Sequence, residues 1–269
     1  QIYEPDSVFK VITAAAALDA KKITPEETYS DTGALTLNDK TIRNWDLKAH
    51  GRVSMTGIIE MSLNTGAAYM ERKLGDAAFT EYVRKFGLGE KTGVKLPGEL
   101  RGNIGELTPD APEIAFASAS FGQGIAVTPL QLINAVSAIA NGGELMRPYV
   151  TANETPEVVR RVISPEAAAA VAKMMVSAVD RAGIAKISGY AIAGKTGTAQ
   201  VADLIRGGYG DKYVNTYVGF GPVSNPKFII LIKLNEPTGA PLAGTTVVPA
   251  FRDLAQIVIN YYNIPPDRL

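Results

Sequence analysis

Hydrophobic residues recur at helical spacing through much of the chain, whereas strand-like apolar runs are confined to its last third. Helices are predicted at about 7–20, 54–74, 76–86, 129–140, 164–179 and 248–262. Strands are predicted at about 189–201, 213–223 and 227–235, the last two joined by a turn at 224–226. The segment 21–53 is predicted to be loops with short elements, and 87–110 a surface loop rich in Gly and Pro.

Capping signals mark the start of two of these helices. Pro5 suits the first turn of a helix, and Asp6 or Ser7 is expected to cap it. Thr128 and Gln131 have the spacing of a capping box. Helices in the middle, then antiparallel strands and a terminal helix, indicate an α/β or α+β fold. One side of the terminal helix is expected to carry Phe251, Leu254, Ile257, Val258 and Tyr261.

Composition narrows the possible classes of protein. The 269 residues carry 27 Lys and Arg against 27 Asp and Glu, and they include no Cys. Balanced charge disfavours a general nucleic-acid binder, and the lack of Cys excludes disulfides, a Cys nucleophile and Cys-based metal sites. His50 is the single histidine, which excludes a His-rich metal site. We interpret it as structural.

The chain starts at Gln1 with neither an initiator Met nor a signal peptide. No stretch reaches the roughly 18 apolar residues of a membrane span. We therefore expect a piece of a longer protein. The three predicted strands alone would leave an unprotected sheet edge, so at least two further strands are expected upstream of Gln1.

Three short motifs carry candidate chemistry. The first is Ser7-Val8-Phe9-Lys10, whose hydroxyl and amine share one helix face, so that an unprotonated Lys10 can activate Ser7. Taken alone, such a string is weak evidence. Ser224 and Lys227 have the same spacing but lie in a predicted turn.

The second motif is Ser62-Leu63-Asn64, at the point where the helical pattern of 54–74 breaks. The third is Lys195-Thr196-Gly197, continued by Thr198, on a predicted strand, where Gly lets a substrate pair along the backbone. A second Lys-Thr-Gly string at 91–93 lies in the Gly- and Pro-rich loop and is discounted.

In this order and context, the three motifs form the set of penicillin-binding proteins and serine β-lactamases. The chain resembles the transpeptidase domain of class B penicillin-binding proteins over essentially its whole length. Further segments that carry the resemblance lie at 3–5, 121–125, 128–132, 140–143, 193–200, 219–220 and 249–251. One departure is Asp6, where the family usually has Gly. Its charge near Lys10 would favour the protonated amine.

The resemblance implies an acyl-transfer reaction. Ser7 would attack the carbonyl between two D-alanines of a peptidoglycan stem peptide, and Lys10 would take its proton. Lys195 would lower the pKa of Lys10 by like-charge repulsion. Ser62 would pass the proton to the leaving amine. The backbone N–H groups of Ser7 and Thr198 would form the oxyanion hole.

Substrate binding is implied for a second set of residues, namely Asn64, Thr196, Gly197 and Thr198. No metal or organic cofactor is implied. The expected fold is an antiparallel sheet packed against the first and last helices, with an all-α lobe, as in penicillin-binding transpeptidases and serine β-lactamases. We place the all-α lobe at roughly 21–180 and the sheet lobe at roughly 1–20 and 181–269.

The partners implied are peptidoglycan stem peptides, β-lactam antibiotics and a glycosyltransferase of the division or elongation machinery, but no nucleic acid. The implied location is the extracytoplasmic face of the bacterial cytoplasmic membrane, with an N-terminal anchor outside this chain.

Other readings of the same residues remain. A non-catalytic β-lactam sensor or a β-lactamase-like hydrolase shares the first motif. Class A β-lactamases need a separate Glu-x-x-Leu-Asn loop, and the string at 60–64 overlaps the second motif instead. The string at 189–196 also matches a P-loop, although its strand-like residues lie between the two glycines. Trp45, Tyr213 and Tyr217 are more often packing residues, and Tyr217 could line the cleft.

Overall fold

The computed structural model describes residues 1–202, 208–240 and 242–268. A 3-10 turn, Asp6–Phe9, leads directly into the first α-helix. The α-helices are α1 Lys10–Asp19, α2 Met55–Met61, α3 Asn64–Leu74, α4 Asp76–Lys85, α5 Glu113–Ala119, α6 Pro129–Ala140, α7 Pro165–Ala182 and α8 Val247–Tyr261. The six predicted helical segments are therefore confirmed, including the break between α2 and α3, whereas α5 was not predicted.

The strands form one three-stranded sheet and three short pairs. The short strands are β1 Thr28–Asp31, β2 Ala34–Leu37, β3 Lys40–Arg43, β4 Gly51–Ser54, β5 Glu144–Met146 and β6 Val158–Arg161. They pair as β1 with β4, β2 with β3 and β5 with β6. The region 21–180, predicted to be all-α, thus holds three small strand pairs as well as helices.

The main sheet consists of β7 Ala193–Ala202, β8 Tyr209–Gly221 and β9 Phe228–Asn235, in antiparallel order. The strand predicted at 189–201 starts later than expected. A turn at 188–189, closed by a bridge between Ile187 and Tyr190, and two irregular residues at 191–192 precede it. The register places Lys195 opposite Val218 and Thr196 opposite Tyr217.

Helices cover both faces of this sheet. Helices α6 and α7 contact one face, and α8 contacts the other through β8 and β9. The first helix does not take the place predicted for it, since α1 packs mainly among α3, α4, α6 and α7. Its preceding turn, Asp6–Phe9, is what contacts β7 and β8. The turn that carries Ser7 therefore lies between the helices and the sheet.

The buried side of α8 differs from the predicted one. Its buried residues are Val247, Val248, Phe251, Ala255 and Ile259. Leu254, Ile257 and Tyr261, which were expected to pack with Phe251, are exposed. The physical reason is that the apolar side of this helix is broader than the surface that covers it, with Arg252, Asp253, Gln256 and Asn260 on the remaining side. The sequence pattern does not show which part of the apolar side is covered.

A capping box explains why α6 starts at Pro129. The Thr128 hydroxyl accepts a hydrogen bond from Gln131 N–H, and the Gln131 side chain accepts one from Thr128 N–H, so the predicted capping box is confirmed. The Gln131 amide also donates to the carbonyls of Glu90 and Arg101, which ties the Gly- and Pro-rich loop to α6. In the parts of the chain described above, no helix has the length and apolarity needed to cross a bilayer.

Candidate active site

Ser7 and Lys10 lie one turn apart where the 3-10 turn meets α1. The Lys10 Nζ is 2.9 Å from Ser7 Oγ, the proximity that the spacing predicts. Ser7 is half-buried, whereas Lys10 is fully buried in the core. The hydroxyl is thus accessible to a ligand, and the amine that would act on it is shielded from water.

Ser62 approaches this pair from the break between two helices. It has a left-handed backbone, with φ of 58°, and it ends α2 before α3 begins at Asn64. The turn aims both its carbonyl oxygen and its Oγ at Lys10, at 2.7 and 3.1 Å from Nζ. The carbonyl contact is one that sequence reasoning missed, because it depends on the turn geometry and not on side-chain type.

Lys195 reaches the same point from the sheet. It lies on β7, is 4% exposed, and its Nζ is 2.8 Å from Ser62 Oγ. Ser7, Lys10, Ser62 and Lys195 are therefore brought together from three separate segments of the chain.

Burial lowers the pKa of both lysines. Burial lowers the pKa of Lys10 well below its usual range, the charge of Lys195 lowers it further, and the Asp6 carboxylate opposes both. Burial likewise lowers the pKa of Lys195 to about 8, again opposed by Asp6. The repulsion predicted between the two lysines is thus present, but desolvation is the larger effect on Lys10.

Gly197 permits close packing between β7 and the turn Asp6–Phe9, which carries Ser7. A Cβ at this position would lie 3.0 Å from the carbonyl oxygen of Pro5 and 3.2 Å from the Val8 side chain. The sequence suggested that this Gly makes room for a substrate. The structure gives a second reason for a glycine here, since a side chain would push the turn Asp6–Phe9 away from the sheet.

The two threonines of the motif are half-buried. Thr198 Oγ1 accepts a hydrogen bond from Ala243 N–H at 3.2 Å, which leaves its own hydroxyl proton for a ligand. Thr196 lies two residues earlier, on the same face of β7 as Thr198.

Asp6 takes a position that the sequence does not indicate. It lies inside the 3-10 turn rather than capping it, with φ of 46°, a left-handed value that Asp tolerates better than most residues. Its carboxylate Oδ2 accepts a hydrogen bond of 2.8 Å from Thr198 N–H. The expected proximity of its charge to Lys10 is present, since it raises the pKa of that lysine.

Gly122 holds the backbone of Asp6 from the other side. Asp6 N–H donates to the Gly122 carbonyl at 3.2 Å. A Cβ on Gly122, whose φ is 86°, would lie 2.4 Å from the Asp6 carbonyl oxygen. Sequence reasoning noted this glycine only as part of a family segment.

Asn64 is placed by a buried polar cluster behind the turn. Its side-chain amide donates to the Arg43 carbonyl at 2.8 Å. The next residue, Thr65, donates to the buried Asp31 carboxylate at 2.7 Å and contacts Asn44. Burial alone would raise the pKa of Asp31, but hydrogen bonds, that from Thr65 first, bring it below its usual range. This cluster fixes the start of α3 and so the position of Ser62.

Several residues singled out in the sequence lie outside the cluster. Tyr217 is buried against Phe251, with ring centroids 4.6 Å apart, beneath Gly194, and it lines a cavity together with Ser62 and Lys195. His50 contacts the Asp46 carboxylate at 2.9 Å, in a loop. The string at 91–93 is in a loop, where Thr92 bonds to Glu99.

The nucleotide-binding reading is wrong. In a P-loop the Lys and Thr open a helix whose N-terminus faces phosphate. Here Lys195 and Thr196 lie inside β7, which continues to Ala202.

Comparison with known proteins points to one family. Residues 1–256 match the family model described as the penicillin-binding protein transpeptidase domain. Penicillin-binding protein PbpB of Mycolicibacterium smegmatis is 34% identical, over 98% of this chain and 44% of that protein. Peptidoglycan D,D-transpeptidase FtsI of Escherichia coli is 30% identical, over 100% of this chain and 45% of that protein. The chain thus spans less than half the length of these relatives.

A solved structure agrees in fold. The transpeptidase domain of penicillin-binding protein 3 from Burkholderia pseudomallei superimposes with a TM-score of 0.90 at 29% identity, covering 100% of this chain and 82% of that one. The family and the fold predicted from the motifs are therefore confirmed.

Proposed function

The chain belongs to the penicillin-binding protein transpeptidase family, and on that premise we propose that it is a serine D,D-transpeptidase of peptidoglycan synthesis. The observation that carries the proposal is the convergence of Lys10 Nζ on Ser7 Oγ at 2.9 Å and on Ser62 Oγ at 3.1 Å. A hydroxyl, a buried amine and a second hydroxyl in contact provide a nucleophile, a base and a route for the proton.

In the first half-reaction, Ser7 Oγ attacks the carbonyl of the penultimate D-alanine of a stem peptide. Lys10 accepts the hydroxyl proton, which its lowered pKa allows. The charge that develops on the carbonyl oxygen is stabilised by the N–H groups of Ser7 and Thr198. Removal of one such donor lowers the rate of the chemical step by roughly 10²- to 10³-fold.

Collapse of the tetrahedral intermediate breaks the C–N bond and releases the terminal D-alanine. Ser62 hands the proton from Lys10 to the leaving nitrogen, a role supported by its contacts with both lysines. The acyl group is now an ester on Ser7. An amine of a neighbouring peptide then attacks this ester, forms the cross-link and returns the proton to Ser7.

Binding of the donor peptide is assigned to residues on both sides of the cleft. Thr196 and Thr198 hold the terminal carboxylate, and Lys195 supplies a positive field. Gly197 keeps the strand close to the substrate, and Asn64 holds a peptide amide. In β-lactams the strained amide replaces the scissile bond, so they acylate Ser7 as well.

We place the reaction on the extracytoplasmic side of the bacterial membrane, where peptidoglycan is assembled. Anchoring by a segment N-terminal to this chain and cooperation with a glycosyltransferase of division or elongation rest on the family alone. The division into a helical lobe at 21–180 and a sheet lobe is proposed on the same ground, with Ser62 and Asn64 facing Lys195 across the cleft.

The proposal is tested by covalent labelling with a fluorescent penicillin and by mass mapping of the labelled peptide. The label is expected on Ser7 and is expected to be absent from Ser7→Ala. The matched control is Ser224→Ala, because Ser224 and Lys227 repeat the motif spacing in a surface turn. Persistent labelling of Ser7→Ala would refute the assignment, as would its loss in Ser224→Ala.

A further inference from the structure

The N–H group assigned to the oxyanion hole on β7 already has a partner within the chain. Thr198 N–H donates to Asp6 Oδ2 at 2.8 Å. Along the part of β7 that the structure describes, only one edge is paired, with β8, and this N–H is not used there. The Asp6 carboxylate therefore occupies the direction from which a substrate carbonyl would approach.

A carboxylate is a strong hydrogen-bond acceptor for the Thr198 N–H. Hydrogen bonds to an ionised acceptor are about twice as strong as those between neutral groups. A substrate carbonyl is neutral when it binds and becomes negative only as Ser7 attacks. In the ground state it is the weaker acceptor of the two, and the Asp6 charge also repels the developing oxyanion.

The backbone of Asp6 cannot retreat to relieve this competition. Its N–H donates to the Gly122 carbonyl, and its carbonyl oxygen lies only 2.4 Å from the point that a Cβ on Gly122 would occupy. Pro5 and Val8 are packed against Gly197 on the other side. The carboxylate can leave Thr198 by rotation of the side chain, while the turn that carries Ser7 stays in place.

We propose that Asp6 is an internal occupant of the oxyanion hole, which must rotate away from Thr198 before Ser7 can be acylated. This inference rests on the proposed function, since it takes Ser7 and Thr198 as the oxyanion donors. Asp6 acts through the Thr198 N–H and is thus a positioning residue that slows acylation, relative to the glycine that is usual at this place.

The test compares acylation rates by a fluorescent penicillin in the protein and in three variants. Asp6→Gly removes the carboxylate and is expected to react roughly 10- to 100-fold faster, a part of the value of one oxyanion donor. Asp6→Asn keeps an oxygen acceptor without the charge and should show a smaller gain. Asp39→Gly is the matched control, because Asp39 is exposed in a turn and has a φ of 59°.

Each rate is taken at the pH optimum of its own variant, so that a change in Lys10 protonation does not contribute. A second readout is the equilibrium affinity for a D-alanine-like boronic acid, whose adduct with Ser7 places an oxygen in the hole. Asp6→Gly is expected to bind it more tightly by a similar factor. A merely structural role of Asp6 would change melting temperature without changing this affinity.

Equal or slower acylation of Asp6→Gly would overturn the inference, as would faster acylation without tighter boronate binding. A longer-lived acyl-enzyme with unchanged acylation would also overturn it, since Asp6 would then act on the deacylating water. The double variant Asp6→Gly, Ser7→Ala separates this inference from the proposed function. Labelling of the double variant would refute Ser7 as nucleophile, whereas equal rates with Ser7-dependent labelling would refute only the role of Asp6.

Discussion

Lys10 contacts Ser62 through two atoms, with Nζ 2.7 Å from its carbonyl oxygen and 3.1 Å from its Oγ. The carbonyl contact holds the amine in place whatever the side chain at position 62. The Oγ contact links it to Lys195, which lies 2.8 Å from the same oxygen. We therefore expect the carbonyl oxygen of Ser62 to position Lys10 and its Oγ to take part in proton transfer, so that mutation can separate the two roles.

Ser62→Ala is expected to lower the rate of acylation by roughly 10²-fold, the lower end of the value of a positioned proton donor. The carbonyl contact remains, so Lys10 stays beside Ser7. Stopped-flow labelling with a fluorescent penicillin measures the rate. Ser62→Gly also loses the hydroxyl but relieves the left-handed backbone. Equal rates for the two variants would assign the loss to the hydroxyl, whereas a normal rate in Ser62→Gly would contradict the role of Oγ.

Lys195→Ala should reduce acylation by roughly 10²-fold, because it removes a buried charge directed at the bound carboxylate. Lys91→Ala is the matched control, since the same Lys-Thr-Gly string surrounds Lys91, which is exposed in a loop. The control is expected to stay within about twofold of the unmodified protein in the same labelling assay. Equal losses in both variants would show that the wrong motif was chosen.

The pH dependence of acylation should report the two charges beside Lys10. The rate is expected to rise with pH as Lys10 loses its proton. Lys195→Ala removes a positive neighbour, which raises the pKa of Lys10 and moves this rise to higher pH. Asp6→Asn removes a negative neighbour and moves it to lower pH. A shift of both variants in the same direction would exclude Lys10 as the titrating base.

Gly122→Ala should destabilise the protein by about 2 kcal/mol more than Gly124→Ala. Both positions have positive φ, so each substitution costs about 1–2 kcal/mol in backbone strain. Only at Gly122 does the new Cβ also meet the Asp6 backbone, whereas at Gly124 nothing lies within 4 Å. Urea unfolding measures the difference, and equal midpoints would contradict the predicted clash.

Stability should fall with rising pH because of Glu71. Burial, followed by the effect of Asp76, raises the pKa of Glu71 from 4.5 to about 8. Between these values the folded state holds a proton that the unfolded state has lost, so the free energy of unfolding decreases as pH rises. The decrease is up to about 5 kcal/mol, at about 1.4 kcal/mol for each unit of pKa difference.

Glu71→Gln replaces the protonated acid with a neutral amide of the same shape. It should be about as stable as the unmodified protein near pH 4 and more stable near pH 9, in urea unfolding at both values. Glu106→Gln, in an exposed loop, provides the control. A Glu71→Gln variant with the same pH dependence as the unmodified protein would show that Glu71 is charged in the fold.

Local spacing was sufficient to predict some features of the site but not others. The contact between Ser7 and Lys10 follows from one helical turn, and the cap at Thr128 follows from its own sequence. The approach of Ser62 to Lys10 depends on how α2 and α3 pack around α1, which no short string encodes. The bond from Thr198 to Asp6 joins residues that are 192 positions apart.

The need for information from neighbouring elements also explains two of the errors in the fold. The segment 189–192 was assigned to the strand because its apolar residues continue the pattern of β7. Three exposed residues of α8 were predicted to be buried because its apolar side is broader than the surface that covers it. In each case the deciding information is the neighbouring element, not the segment itself.

Helix α1 has no solvent-facing residue over its first eight positions, since 10–17 are all buried. Half of these eight residues are alanines, and in a closely packed core an added methylene causes strain. Few substitutions within α1, which carries Lys10, would therefore be compatible with folding. Substitutions that change the reactivity of Ser7 without disturbing the fold are therefore expected at half-buried positions near α1. Asp6, immediately before Ser7, is one such position.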